Sequence, residues 1–305
     1  MGSGHWTSDS FNEYSSSLGR TVSKDGFVNV TKENSFKQTT VHKTLDSTKI
    51  AVRECRNSSE HPNTIPIILA LDVTGSMSTA CDRTLSSLGV IITNLYKKYK
   101  DIEFCIMGIG DVNARDRHPI QMGQFESDIR IAKDLDRLYL EKGGGGNGYE
   151  TYTTAWFMGT YKTKLDCWEQ GRKGIIITMG DEPCNPYLDA DRLNPQILVT
   201  DHEIREDIDT KCLYEETLKK FDIYHISIDD PASCYRDYQK EVDPSWEFLG
   251  SNYMVSTIEK LPDTIVRCID ISLSHTNLDT TISESTTETK TAEAADGSTI
   301  QEISW

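Results

Sequence analysis

Three features of this 305-residue sequence point to a Rossmann-like α/β protein, with an open, mostly parallel central sheet and helices on both faces. Short continuous apolar runs recur at wide intervals: Ile65–Leu71 (IPIILAL), Ile102–Gly110 (IEFCIMGIG), Lys173–Thr178 (KGIIIT) and Ile223–Ile228 (IYHISI). Runs that are apolar throughout, rather than at alternate positions, fit parallel strands buried on both sides. Stretches with helical spacing lie between them, and alternating strands and helices imply right-handed crossovers in a parallel sheet.

Residues 1–46 are rich in Ser, Thr, Lys and Asn, with isolated apolar residues Trp6, Phe11, Phe27, Val28 and Phe36. This extension has little core of its own; it is either disordered or laid over the main domain by those anchors. Ile50–Val52 reads as an edge strand, and His61-Pro62-Asn63-Thr64 as a break before the core. The first buried strand leads through a Gly/Ser turn to a helix from about Cys81 to Lys100. There Leu85, Leu88, Ile92, Leu95, Tyr96 and Tyr99 share one face. After the second strand, Pro119–Phe125 reads as a hairpin return and Ser127–Leu140 as a helix. The glycine run Gly143–Gly148 precedes a helix from about Tyr149 to Leu165. Beyond the third strand come a helix over Cys212–Phe221, the strand Ile223–Ile228, a helix over Ala232–Lys240, a short strand at Tyr253–Val255 and a last helix over Ser256–Ile271. Residues 276–305, with twelve Ser/Thr and a net charge of −5, read as a disordered acidic tail. The expected organisation is an extension (1–61), one α/β domain (62–275) and the tail (276–305).

The charge narrows the function classes. With 32 Lys+Arg against 48 Asp+Glu the formal net charge is −16, and −12 of it falls within residues 65–275. Such acidity argues against a nucleic-acid binder, whose affinity comes from Lys and Arg neutralising phosphates, and against binding to an anionic membrane surface. No apolar window reaches membrane-spanning length, and the N-terminal residues lack the basic and apolar regions of a signal peptide. The eight cysteines contain no C-x-x-C pair, and reduced thiols in a cytoplasmic protein are expected.

In open α/β sheets, ligands sit outside the carboxyl ends of the strands. The first strand ends Leu71-Asp72-Val73-Thr74-Gly75-Ser76, which places one carboxylate and two hydroxyls on a tight loop. Hard cations such as Mg²⁺ prefer oxygen donors of this kind. The glycine-rich loop, with Asn147, delivers Glu150, and the third strand ends Thr178-Met179-Gly180-Asp181.

This constellation resembles a von Willebrand factor A (vWA) domain with its metal-ion-dependent adhesion site (MIDAS), marked by D-x-S-x-S after the first strand. Asp72, Thr74 and Ser76 match that motif, with Thr in place of the first Ser; Glu150, beside Thr151, falls at the second loop and Asp181 at the third. The family usually has its Asp directly after the strand's Thr, whereas Met179-Gly180 intervene here, so a water-mediated contact is expected of Asp181. The resemblance covers about residues 62–275. It implies the vWA fold, a Mg²⁺ (or Mn²⁺) ion held by Asp72, Thr74, Ser76, Glu150 and Asp181, and no catalysis. It also implies a protein partner that offers an acidic residue to the metal, such as an AAA+ ATPase or another assembly factor. Self-association through the metal stays open, because this chain carries acids of its own.

Other readings fit less well. A haloacid-dehalogenase-like phosphohydrolase would use Asp72 as nucleophile, but Thr74 stands where that chemistry needs a second Asp as general acid. Gly143, Gly145 and Gly148 satisfy G-x-G-x-x-G, yet no strand precedes them as dinucleotide binding requires. Asp, Thr, Ser and Gly also make ordinary turns. Asp111 follows the second strand at the same sheet face, where it either shapes the field or serves as a hairpin-turn acid; His118 and His225 read as isolated residues, and Trp156, Trp168 and Trp246 as packing residues.

Overall fold

The computed structural model describes residues 4–114, 116–141, 147–200, 203–229 and 244–274. Its first strand, β1 (Arg53–Cys55), comes later than the Ile50–Val52 edge strand that the sequence pattern predicts, and it does not border the main sheet. It pairs in parallel with β5 (Thr163–Leu165) as a separate two-stranded ribbon. Ile50 instead buries its side chain at the end of a 3-10 turn, which leaves Val52 exposed.

The central sheet holds β2 (Ile65–Asp72), β3 (Ile102–Ile109), β4 (Ile120–Met122), β6 (Gly174–Gly180), β9 (Phe221–Ile228) and β10 (Tyr253–Ser256). Their order is β10-β9-β6-β2-β3-β4, and only β4 is antiparallel to its neighbour. β7 (Tyr187–Leu188) and β8 (Ile208–Asp209) form a small antiparallel pair. Every residue of β3 and β6 is buried, which accounts for their unbroken apolar runs. Alternate residues serve opposite faces: Ile68, Ala70, Cys105, Met107 and Ile176 pack in one core with Trp156, while Ile67, Leu69, Phe104, Ile106, Ile175 and Ile177 are buried on the other side. The expected α/β architecture is therefore the one observed.

The helices differ in how they begin, some capped by a side chain and others not. α1 (Ser8–Ser17) is capped by Thr7, whose hydroxyl accepts from Ser10 N. α2 (Ser78–Lys98) starts three residues before the expected Cys81 and turns Leu85, Leu88, Ile92 and Leu95 inward. α3 (Arg130–Asp136) is half the length of the helix expected over Ser127–Leu140. Glu126 still pairs with Phe104 in extended backbone, and the Gln121 amide holds both Tyr139 N and Tyr139 O at 2.8 Å. α4 (Thr153–Tyr161) is buried almost all round, and Gly159 lets it approach the sheet: a Cβ there would lie 2.9 Å from Ile176 Cδ1. The segment expected to end this helix is β5 instead. α5 (Ala190–Leu193) and α6 (Thr210–Leu218) follow, and the last helix spans 261–274 rather than starting at Ser256. The helix expected over Ala232–Lys240, most of the glycine run and the C-terminal tail lie outside the described residues.

The N-terminal extension is laid over the domain. Trp6 Nε1 donates to Thr93 Oγ1 of α2 at 3.0 Å, and Phe11 fills the space above Gly89 of that helix. Buried Arg20 donates to the Asn34 carbonyl and pairs with Asp136 at the end of α3. The described residues up to Cys268 belong to one compact unit, and a second starts at Ile269, of which the described part, 269–274, is helical.

Candidate functional site

The strand order reverses between β2 and β6, and this switch point is where open α/β sheets leave a crevice at their carboxyl ends. Asp72 is the last residue of β2. Asp181 directly follows β6, because that strand runs through Met179 and Gly180 instead of stopping at Thr178. The two strands pair in register there, Leu71 beside Met179, so the two residues that seemed to displace Asp181 carry it to the strand tip.

Asp72 is fully buried, and its carboxylate organises the loop. Oδ1 accepts from Thr74 N at 2.8 Å and from Thr74 Oγ1 at 2.6 Å, while Oδ2 accepts from Tyr152 OH at 3.0 Å. A 3-10 turn, Gly75–Met77, then runs straight into α2. That puts the positive end of a 21-residue helix beside the loop, which favours the negative charges gathered there. Thr74 Oγ1 lies 3.4 Å from Ser76 Oγ, and Ser76 Oγ donates to Asp181 Oδ1 at 3.1 Å. Each hydroxyl thus gives its one proton to a carboxylate, Thr74 to buried Asp72 and exposed Ser76 to Asp181, and the two hydroxyl oxygens lie side by side between them.

The second loop contributes differently from the pattern that the sequence predicts. Glu150 precedes α4 instead of starting it, because its backbone pairs with Cys184 and its N–H donates to Pro183 O at 3.3 Å. Thr151 is used up as a fastener: its hydroxyl donates to Gly110 O at 2.8 Å and accepts from Val112 N at 2.9 Å. The Glu150 side chain is buried with no hydrogen bond to Oε2. Asp111, two residues past β3, is also fully buried, with Oδ1 accepting from Asn113 N at 2.8 Å and Oδ2 unpartnered.

These acids crowd one another. Burial, reinforced by the charge of Asp181, pushes the Asp72 carboxyl far above the usual carboxylate range. Burial raises Glu150 further still, with Asp72, Asp111, Asp116 and Glu182 as the repelling charges. Asp111 is pushed up to about 6 by burial, and Glu182 to about 7 by burial and Asp181. The charges acting on all four are other carboxylates. Asp72, Glu150 and Asp181 are not among the described groups whose ligand atoms close to within 4.8 Å of one another; Asp72 and Asp181 instead hold the two hydroxyls between them. An all-oxygen donor set with orphaned buried carboxylate oxygens is what a hard divalent cation, with some of its water retained, would satisfy.

One residue of the site was not picked out from the sequence. Tyr152 clamps Asp72, and its oxygen also accepts from Glu182 N at 3.2 Å, so one phenol ties all three loops together. A Cβ at Gly180 would lie 2.0 Å from that oxygen, so Gly180 leaves the room that Tyr152 occupies. Asp111, whose position just past a buried strand puts it on this face, acts on Glu150 once the loops are assembled.

No protein-family model matches this chain, and no curated protein matches it. Among solved structures it is similar to the pilus adhesin SpaC from Lactobacillus rhamnosus GG in an open conformation, at 10% identity and a TM-score of 0.48 over 71% of this chain. A second crystal form of that adhesin matches at 13% identity and a TM-score of 0.45. This chain spans about a third of that adhesin's length, with 31% and 32% covered in the two structures. It is also similar to the vWF domain of the type V pili tip protein Mfa5 from Porphyromonas gingivalis, at 12% identity and a TM-score of 0.43, covering 68% of this chain and 95% of that one.

Proposed function

We propose that this chain is a vWA-type protein-interaction module that holds Mg²⁺ or Mn²⁺ at Asp72, Thr74, Ser76, Glu150 and Asp181 and engages an acidic residue of a protein partner. The observation that carries the reading is the gathering of Asp72, Thr74, Ser76 and Asp181 at the switch point, each hydroxyl bound to one of the two carboxylates and their oxygens 3.4 Å apart, with unpartnered oxygens on buried Glu150 and Asp111. When bound, the cation supplies a Lewis-acidic position that a carboxylate oxygen can fill. Thr74 and Ser76 offer neutral hydroxyls, which leave such a cation's charge partly uncompensated. Asp72, fixed by three hydrogen bonds, and Asp181 orient donors and waters around those hydroxyls, and Glu150 and Asp111 add charge from the buried side.

The partner class in this proposal is an assembly factor such as an AAA+ ATPase, met in the cytoplasm, with a second copy of the chain as the other candidate. A phosphohydrolase using Asp72 fits less well, since both oxygens of that carboxylate are engaged and none of the residue is exposed. Affinity capture with the wild type beside Ser76→Ala, with and without EDTA, tests the reading. A partner held by the wild type in Mg²⁺ should be released by EDTA and missed by Ser76→Ala. Capture that ignores both changes contradicts metal-bridged binding.

A further inference from the structure

Away from the sheet's carboxyl end, the fold brings together two histidines and a glutamate that are 55 residues apart in the chain. Ligand atoms of His5, Glu60 and His61 all lie within 4.8 Å of one another, and the rings of His5 and His61 are 4.8 Å apart, centre to centre. We propose that these three residues form a second metal site, selective for Zn²⁺ and similar borderline cations, that staples the N-terminal extension to the loop before β2.

The donor chemistry sets this site apart from the first. Two imidazoles and one carboxylate suit zinc, whereas the all-oxygen set at Asp72 suits a hard ion. His61 is buried, and its ring is arranged as a ligand's would be. Nδ1 makes no hydrogen bond and lies 3.6 Å from Asp101 Oδ1, while Nε2 lies 3.4 Å from Gly4 O and 3.5 Å from Ser127 Oγ. Whichever nitrogen binds the metal, the other carries its proton toward a waiting acceptor, Asp101 on one side or the Gly4 carbonyl on the other. Metal-bound histidines are almost always oriented in that way. His5 and Glu60 are both exposed, so they can rotate to close the last ångström toward bonds of about 2.0–2.2 Å without disturbing the core.

The site also has a structural consequence. Gly4 is already held by Ser127 Oγ at 2.5 Å, and Trp6 is buried against α2. A metal bond at His5 would close a loop that spans the whole extension, and a clip across a long loop removes more unfolded-state entropy than one across a short loop.

Zinc competition against a chromophoric chelator, in excess Mg²⁺, tests the proposal on the full chain. Wild type should bind one zinc tightly; His5→Ala and Glu60→Gln, both at exposed positions, should bind it about 10-fold or more weakly. Cys212→Ser removes the one exposed thiol among the described residues, and Thr74→Ala/Ser76→Ala disables the first site; both should keep wild-type zinc affinity. Zinc should also slow proteolysis of the extension in wild type and not in His5→Ala. The proposal is overturned if His5→Ala and Glu60→Gln bind zinc as wild type does, or if wild type binds none. Loss of zinc in Cys212→Ser, or in the first-site variant, would place the ion elsewhere and overturn it equally.

Discussion

At the scale of single residues, Tyr152 is the least replaceable part of the candidate site, because its hydroxyl contacts both Asp72 and the third loop. Tyr152→Phe should cost about 1–3 kcal/mol of stability, the usual result of leaving a buried acceptor unpaired, as read from urea unfolding. An unchanged midpoint would mean that the Asp72 carboxylate finds another donor. The acids themselves set a pH dependence. Asp111, at about 6, and Glu182, at about 7, are raised above their ordinary values of 3.8 and 4.5. A carboxyl raised on folding holds its proton more tightly in the folded state. Its contribution is therefore present below the unfolded pKa and lost as pH rises through the folded one. In EDTA, the melting temperature should fall between about pH 4 and about pH 7. Glu150→Gln should flatten that fall, because the buried Glu150 carboxyl keeps its proton in the folded state and ionises across this window only in the unfolded chain. A wild-type profile that rises across this window contradicts the buried-acid account. Asp72, Thr74, Ser76 and Asp181 were legible because a carboxylate and hydroxyls after an apolar run mark a strand tip. Asp111 was legible in part, as an acid just past the second strand, and Tyr152 was not, since its role depends on which loops meet.

At the scale of elements, strands were easier to place than helix ends. Burial on both faces writes itself into β2, β3, β6 and β9 as predominantly apolar runs. The short α3, the late start of α4 and the detached β1–β5 ribbon were not legible. They are decided by distant contacts: the Gln121 amide on Tyr139, Thr151 on Gly110 and Val112, and Arg53 paired beside Thr163. Sequence spacing carries no record of partners that far away. The extension was left open between disorder and docking, and Arg20 supplies the anchor that decides it. Its side chain is 1% exposed and its partner Asp136 only 10%. Removing one member of such a buried pair costs about 3–5 kcal/mol, because it strands the other charge. Arg20→Ala should therefore expose the segment before β1 to rapid limited proteolysis, while the sheet stays intact by circular dichroism. Wild-type cleavage rates would show that Trp6 and Phe11 hold the extension unaided.

For the molecule as a whole, the acidity resolves into parts. Of the 48 acidic residues, Asp72, Asp111, Glu150, Asp181 and Glu182 gather at one place, the switch point beside β2 and β6. That gathering costs stability in the absence of a counter-ion, so the fold is biased toward whatever cation relieves it. The central claim is that this cation is divalent and sits on the DVTGS loop. The most direct measurement is a Mn²⁺ titration followed by the electron paramagnetic resonance signal of the free ion, for wild type and for Thr74→Ala/Ser76→Ala. The account predicts that wild type takes up Mn²⁺ in competition with Mg²⁺ and that the double variant does not, although it remains folded. Equal uptake by both proteins would contradict it.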